Sequence, residues 1–217
     1  MASITYIAKD EIEKTGYSKS GTDISAAASD DSFNAASTNL SGLLDDQWIQ
    51  VAGFANAANN GWFQANGNSI STKISQDTSS SLVDEAAGPA VSIVGYVRGL
   101  GQSYSIDFAL TAADRSVTVE RNKQQPLGGG APEITFYRRQ KFYSVTTSLF
   151  TEAQMKQVRE FLASVDDGSQ FTFDPYGTSG SPDSPHPAML DSDGYSEQRA
   201  DPTTFNYRVS FRVLLLD

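Results

Sequence analysis

The side chains best suited to chemistry are few. The chain holds one histidine, His186, and no cysteine. A general base needs a partner that orients it, and His186 lies between Pro185 and Pro187 with no such residue beside it. A Ser-His-Asp arrangement would have to use this histidine, and no G-x-S-x-G turn is present to raise a serine. Lack of cysteine removes thiolate nucleophiles, disulfides and thiolate zinc sites together. Asp191-Ser192-Asp193-Gly194 begins like a calcium loop, but Glu197 comes too early for the closing ligand, so the segment reads as a turn. Asp45-Asp46 and Asp166-Asp167 offer paired carboxylates, yet glycoside cleavage depends on separation in space. They read as turn and helix-end residues. Gly128-Gly129-Gly130 lacks the Gly-Lys-Ser/Thr ending and following helix of a phosphate loop, and reads as a long hairpin connection. The expectation is a protein that is not an enzyme, with no catalytic residues, cofactor or metal.

What remains is charge suited to assembly. Arg138, Arg139 and Lys141 cluster within one strand-like run, and adjacent strand residues face opposite sides. With Arg208 and Arg212 on the last strand they suggest a cationic stripe that meets an acidic neighbour. Gly128, Gly129, Gly130 and Tyr195 complete the candidate subunit-interface residues.

The element that best positions a scaffold runs from Glu133 to Pro175. EITFYRRQKFYSVTT reads as strand, TEAQMKQVREFLASV as helix and SQFTFDP as strand. Thr151 and Gln154 have capping-box spacing. Met155, Val158, Phe161, Leu162 and Val165 recur at helical spacing, and Gly168 suits a left-handed stop. TFNYRVSFRVLLLD alternates as a strand, with Phe205, Tyr207, Val209, Phe211 and Val213 on one face. Such a strand either pairs within a sheet or exposes an edge to another subunit.

Upstream, QWIQVAGF, GWFQA, NSISTKI and AVSIVGY are strand-length bursts in a Ser/Ala/Asn/Gly-rich background. Asn66-Gly67 has the spacing of a two-residue hairpin turn. DDSFNAASTNLSG reads as an ordered loop anchored by Phe33 and Leu40. The excursion from residue 178 to 202 reads as a Pro/Asp/Ser-rich loop, of the kind that is functional or lies against a partner. The expected fold is mainly β with one α-helix at about 151–166, a β-barrel or sandwich core with a small N-terminal all-β module. The expected divisions are 1–21, a segment of the core or an arm; 22–96, the small module; and 97–217, the core.

A length of 217 residues is enough to bury a real core. The first residues show no basic start followed by an apolar run, and no stretch of about eighteen apolar residues occurs, so neither a signal peptide nor a membrane span is expected. A net charge of −10 argues against binding a phosphate backbone, which takes Lys and Arg to displace counterions.

Three stretches carry a resemblance: RSVTVERNKQQ, then FYRRQKFYSVTTSLFTEAQMKQVREFLASVDDGSQFTFDPYGT, then YRVSFRV. They resemble distal tail proteins of long-tailed bacteriophages. VAGFANAANNGWFQANG is similar to a β module recurring in phage head-completion and tail proteins. The resemblance implies a structural virion protein, made in the host cytoplasm and assembled as a cyclic oligomer, commonly a hexamer. Its implied neighbours are the tail tube protein, the baseplate hub and the tape-measure protein, with no stable nucleic-acid binding and no membrane. Two other readings stay open. One is a tail-tip carbohydrate- or receptor-binding module using Trp48, Trp62 and Tyr195; the other is a tail completion or terminator protein.

Overall fold

The computed structural model describes residues 1–77, 81–124, 133–177, 185–201, 203 and 206–216. In chain order its strands are β1 (Ala2–Ile7), β2 (Lys14–Gly21), β3 (Ile24–Ala27), β4 (Ser32–Ala35), β5 (Trp48–Ala52), β6 (Gly61–Gln64), β7 (Lys73–Ser75), β8 (Val91–Tyr96), β9 (Ser103–Phe108), β10 (Leu110–Gln124) and β11 (Glu133–Thr147). Helix α1 (Glu152–Val165) follows, then β12 (Phe171–Asp174), β13 (His186–Asp201) and β14 (Asn206–Leu215). The fold is mainly β with a single α-helix among the described residues.

The chain divides into two compact units, and the first strand belongs to the C-terminal one. One unit comprises Met1–Ile7 with Ser103–Asp217; the other is Ala8–Gln102. The boundaries thus fall at 8 and 102 rather than at 22 and 96. β1 is the reason: it pairs antiparallel with both β9 and β12, so residues distant in sequence share one sheet.

That sheet has the order β10-β11-β14-β13-β12-β1-β9. Alternation sets its inward face, with Ile4 and Tyr6 of β1 and Val209, Phe211, Val213 and Leu215 of β14 all buried. α1 lays its apolar stripe there, burying Met155, Val158, Phe161, Leu162 and Val165. Phe161 is the hub, with ring centroids 5.4 Å from Tyr6 and 5.1 Å from Phe171, both edge-on. The Thr151–Gln154 capping box is formed in both directions, and Gly168 ends the helix at φ +85°. Glu160 departs from the pattern of an exposed charge. It is fully buried and accepts a 2.8 Å hydrogen bond from the Tyr6 hydroxyl.

The C-terminal strand is interior rather than an edge, since β11 and β13 flank it. Much of the expected 178–202 loop is β13, which pairs with β14 from Ala188 to Asp201. Its polar composition conceals a strand because pairing to a strongly hydrophobic neighbour decides its conformation. Asp191–Gly194 forms an irregularity in that pairing, between Leu190↔Val213 and Tyr195↔Phe211, with Gly194 at φ +75°.

The second unit packs the sheet β2-β8-β5-β6 with the sheet β3-β4-β7 around one apolar core. Phe33 sits at its centre, 5.6 Å from the Phe54 ring and 5.3 Å from Phe63. The segment read as an ordered loop is partly β4, and Phe33 and Leu40 are fully buried as its anchors. The expected Asn66-Gly67 hairpin is displaced. The two-residue turn falls at Ser71-Thr72, closed by reciprocal backbone bonds between Ile70 and Lys73. Gly67 instead donates its N–H to Asp45 at 2.6 Å, and Asp45 thereby serves a turn.

GFANAANNG is a structural clamp. Asn56 caps the 3-10 turn Ala57–Asn59 by accepting from the Ala58 N–H. The Asn60 side-chain amide bonds both backbone groups of Phe54. Asn59 is fully buried, donates to the Val83 carbonyl and the Glu85 carboxylate, and accepts from the Val83 N–H.

Candidate functional site

The candidate interface is the hairpin of β10 and β11. Each strand is 15 residues long, but β14 pairs with β11 only over Lys141–Thr146. Beyond Lys141 the hairpin continues as a ribbon of two strands, with β10 ending the sheet. Every side chain from Asp114 to Gln124 is exposed. Two-stranded ribbons are marginal alone in water, so the length of this one invites a partner.

The register assigns residues to its faces. Val117, Val119, Arg121 and Lys123 share one face by alternation, opposite Lys141, Arg139, Phe136 and Ile134 respectively. A bulge after Glu120 leaves Tyr137 unpaired in the register. Ile134, Phe136 and Tyr137 are 54%, 59% and 62% exposed. One face therefore interleaves apolar groups with Arg121, Lys123, Arg139 and Lys141. The other face carries Glu120 opposite Arg138, whose guanidinium donates from Nε at 2.7 Å and Nη2 at 2.9 Å. The Glu120 carboxyl is held below its usual range first by the hydrogen bond from Arg138 and then by its charge.

The sequence-predicted interface residues do not converge. Arg138 and Arg139 sit on opposite faces of the ribbon, and Arg138 is satisfied within the chain. Arg208 is on β14, about ten strand positions or roughly 30 Å farther along the sheet. Its Nε is buried without a hydrogen-bond partner among the described residues. Arg212 meets Asp191 at 3.1 Å and lies 4.0 Å above the Phe142 ring. The expected cationic stripe is therefore broken: strand offset separates its members, and acidic neighbours in the same chain take Arg138 and Arg212. Tyr195 is 48% exposed and lines a cleft of about 390 Å³ with Asp166, Asp167, Gly168 and Asp191. Gly128, Gly129 and Gly130 lie outside the described residues, as do 178–184 of the expected partner-facing segment.

Sequence reading missed Ile134 and Phe136. Their alternation in EITFYRR is visible, but only the bulged register joins them to Val117 and Val119. His186 opens β13 opposite Phe173 rather than standing in a loop. Among the described residues no group of three or more His, Asp or Glu side chains could hold a metal ion, and no helix is long and apolar enough to cross a membrane.

Comparison with known proteins gives no match to a family model, a curated protein or a solved structure.

Proposed function

We propose that this chain is a non-enzymatic structural subunit of a bacteriophage tail, forming a ring at the distal tail or baseplate that joins the tail tube to the hub. The observation that carries the reading is the apolar and cationic face of the β10–β11 ribbon. The ribbon strands hold six cations against three carboxylates, within a chain of net charge −10. A surface of that kind fits an apolar patch rimmed by carboxylates. A second copy of the same acidic chain has that charge, which makes an identical neighbour the favoured partner. Such a contact places the ribbon of one copy on a different surface of the next. Head-to-tail contacts of this type close into rings when the rotation permits. The place in the tail and the sixfold count come from the sequence resemblance.

The test compares the unaltered chain with Val119→Asp/Phe136→Asp by sedimentation and by electron microscopy of tails assembled with each. Rings from the unaltered chain and none from the variant are expected, with the thermal transition of both retained. A virion in which the protein stands as one isolated copy, touching no identical subunit, overturns the reading.

A further inference from the structure

An aromatic cleft with polar walls opens beside β5 and β6. Ile49 and Val51 point into the core, so alternation turns Trp48 and Gln50 outward. Register places Trp48 opposite both Gln64 and Tyr96, and Gln50 opposite Trp62. These side chains share one face of the sheet. Of these, Trp48, Trp62 and Gln64 line a cleft of about 360 Å³, together with Asp77 and Gln102 among others. That volume lies within the range of about 300–1,000 Å³ typical of small-ligand sites.

Both indoles pack closely against neighbours. The Trp62 ring packs 4.6 Å from Tyr96, and the Tyr96 hydroxyl donates to Gln50 at 3.3 Å. Gly99 lies against Trp48 so closely that a β-carbon there would sit 2.5 Å from Cε3 and 2.6 Å from Cε2. Yet each tryptophan stays half-exposed at the cleft. Asp77 is fixed beside Gln64 by its backbone N–H, which donates to the Gln64 carbonyl at 3.0 Å. Rings already immobilised lose little entropy when a ligand stacks on them.

We infer that this cleft binds an uncharged saccharide. A pyranose presents C–H faces that stack on indole and hydroxyls that bond amides and a carboxylate, and the cleft offers both kinds of group. Among the described residues no lysine or arginine lines it, and Asp77 does, so a phosphate-bearing nucleotide is disfavoured. Lys14 lies over the Tyr96 ring, 5.9 Å from its centroid, and does not line the cleft. The polar walls disfavour a lipid tail. This inference does not rest on the ring assembly.

The chain has two tryptophans and both border the cleft, so intrinsic emission reports on this site. Purified protein is titrated with glucose, galactose, rhamnose and N-acetylglucosamine, each as free sugar and as linear oligomer, with a nucleoside monophosphate as comparison. At least one saccharide should shift the emission saturably and protect it from acrylamide quenching. Gln64→Ala and Trp62→Ala should each weaken that binding by about tenfold or more, with the thermal transition retained. If Trp62→Ala does not fold, Trp62→Phe and Gln64→Ala decide. The inference is overturned if no saccharide in the panel acts saturably. It is also overturned if the nucleotide binds as tightly as the sugars, or if the folded variants bind like the unaltered chain. Ring formation is read separately, so either proposal can fail alone.

Discussion

Arg138 and Glu120 close on each other across the hairpin in a bidentate pair, while Arg139, the next residue, points from the opposite face. Two adjacent arginines thus belong to different surfaces, and the assembly reading assigns them different effects. Arg138→Ala should leave rings intact, because its loss removes an exposed contact within one copy. Arg139→Glu should weaken them, and more so at low salt, where charge is least screened. Electron microscopy of both variants side by side checks this; equal effects would mean that the apolar and cationic face is not the contact.

Leu162 is fully buried on the inner face of α1. Replacing it with alanine removes buried methyl groups and leaves a space its neighbours fill only in part. Leu162→Ala should cost about 2–5 kcal/mol of unfolding free energy. A urea transition shifted by less than about 0.5 kcal/mol would place this face outside the core.

α1 was legible because its signals are local: Thr151 and Gln154 three residues apart, an apolar stripe and a glycine stop. β14 was legible by alternation, but its place in the sheet was not. Whether Val209 and Phe211 sit on an edge or inside depends on β13, whose Asp- and Ser-rich sequence hides its strand character. The ribbon face was half legible, since the bulge that aligns Phe136 with Arg121 leaves no mark in composition. Asn66-Gly67 misled because Asp45, distant in sequence, captures the Gly67 N–H and redirects the chain. For the cleft, Trp48 and Trp62 were identifiable as stacking groups, whereas Asp77 and Gln102 join them only through folding.

Asn59 accounts for the strength of its local motif. Its buried amide satisfies both backbone groups of Val83 and one Glu85 oxygen. Asn59→Ala removes the partner of both Val83 backbone groups and of one Glu85 oxygen. A loss of about 1–3 kcal/mol is expected, read from the thermal or urea transition. Retention of full stability would mean that the Val83 segment is held by other contacts.

His186 pairs in register with Phe173 at the start of β13, and the structural reading gives its side chain no chemical step. His186→Ala should leave assembly and infectivity largely unchanged. Loss of a measurable hydrolytic activity on this change would overturn the structural reading in favour of an enzyme.

Asp23 supplies a pH test. Its carboxylate accepts from the Ser37 N–H at 2.6 Å, the Ser37 hydroxyl at 2.9 Å, the Thr38 N–H at 2.7 Å and the Thr38 hydroxyl. The Thr38 hydroxyl first, then the Thr38 and Ser37 amides, hold its carboxyl well below the usual range. Folding therefore favours the ionised form. The resulting stability is fully present above the unfolded value of about 3.9 and is lost as pH falls toward the lower folded value, because the unfolded chain binds the proton first. Asp23→Asn removes this titration while keeping the side chain's size. Urea midpoints measured from pH 7 down through pH 3 should fall more steeply for the unaltered chain than for the variant, with the difference opening below about pH 4. Parallel curves would show that these four donors do not favour the charged carboxylate over the protonated one.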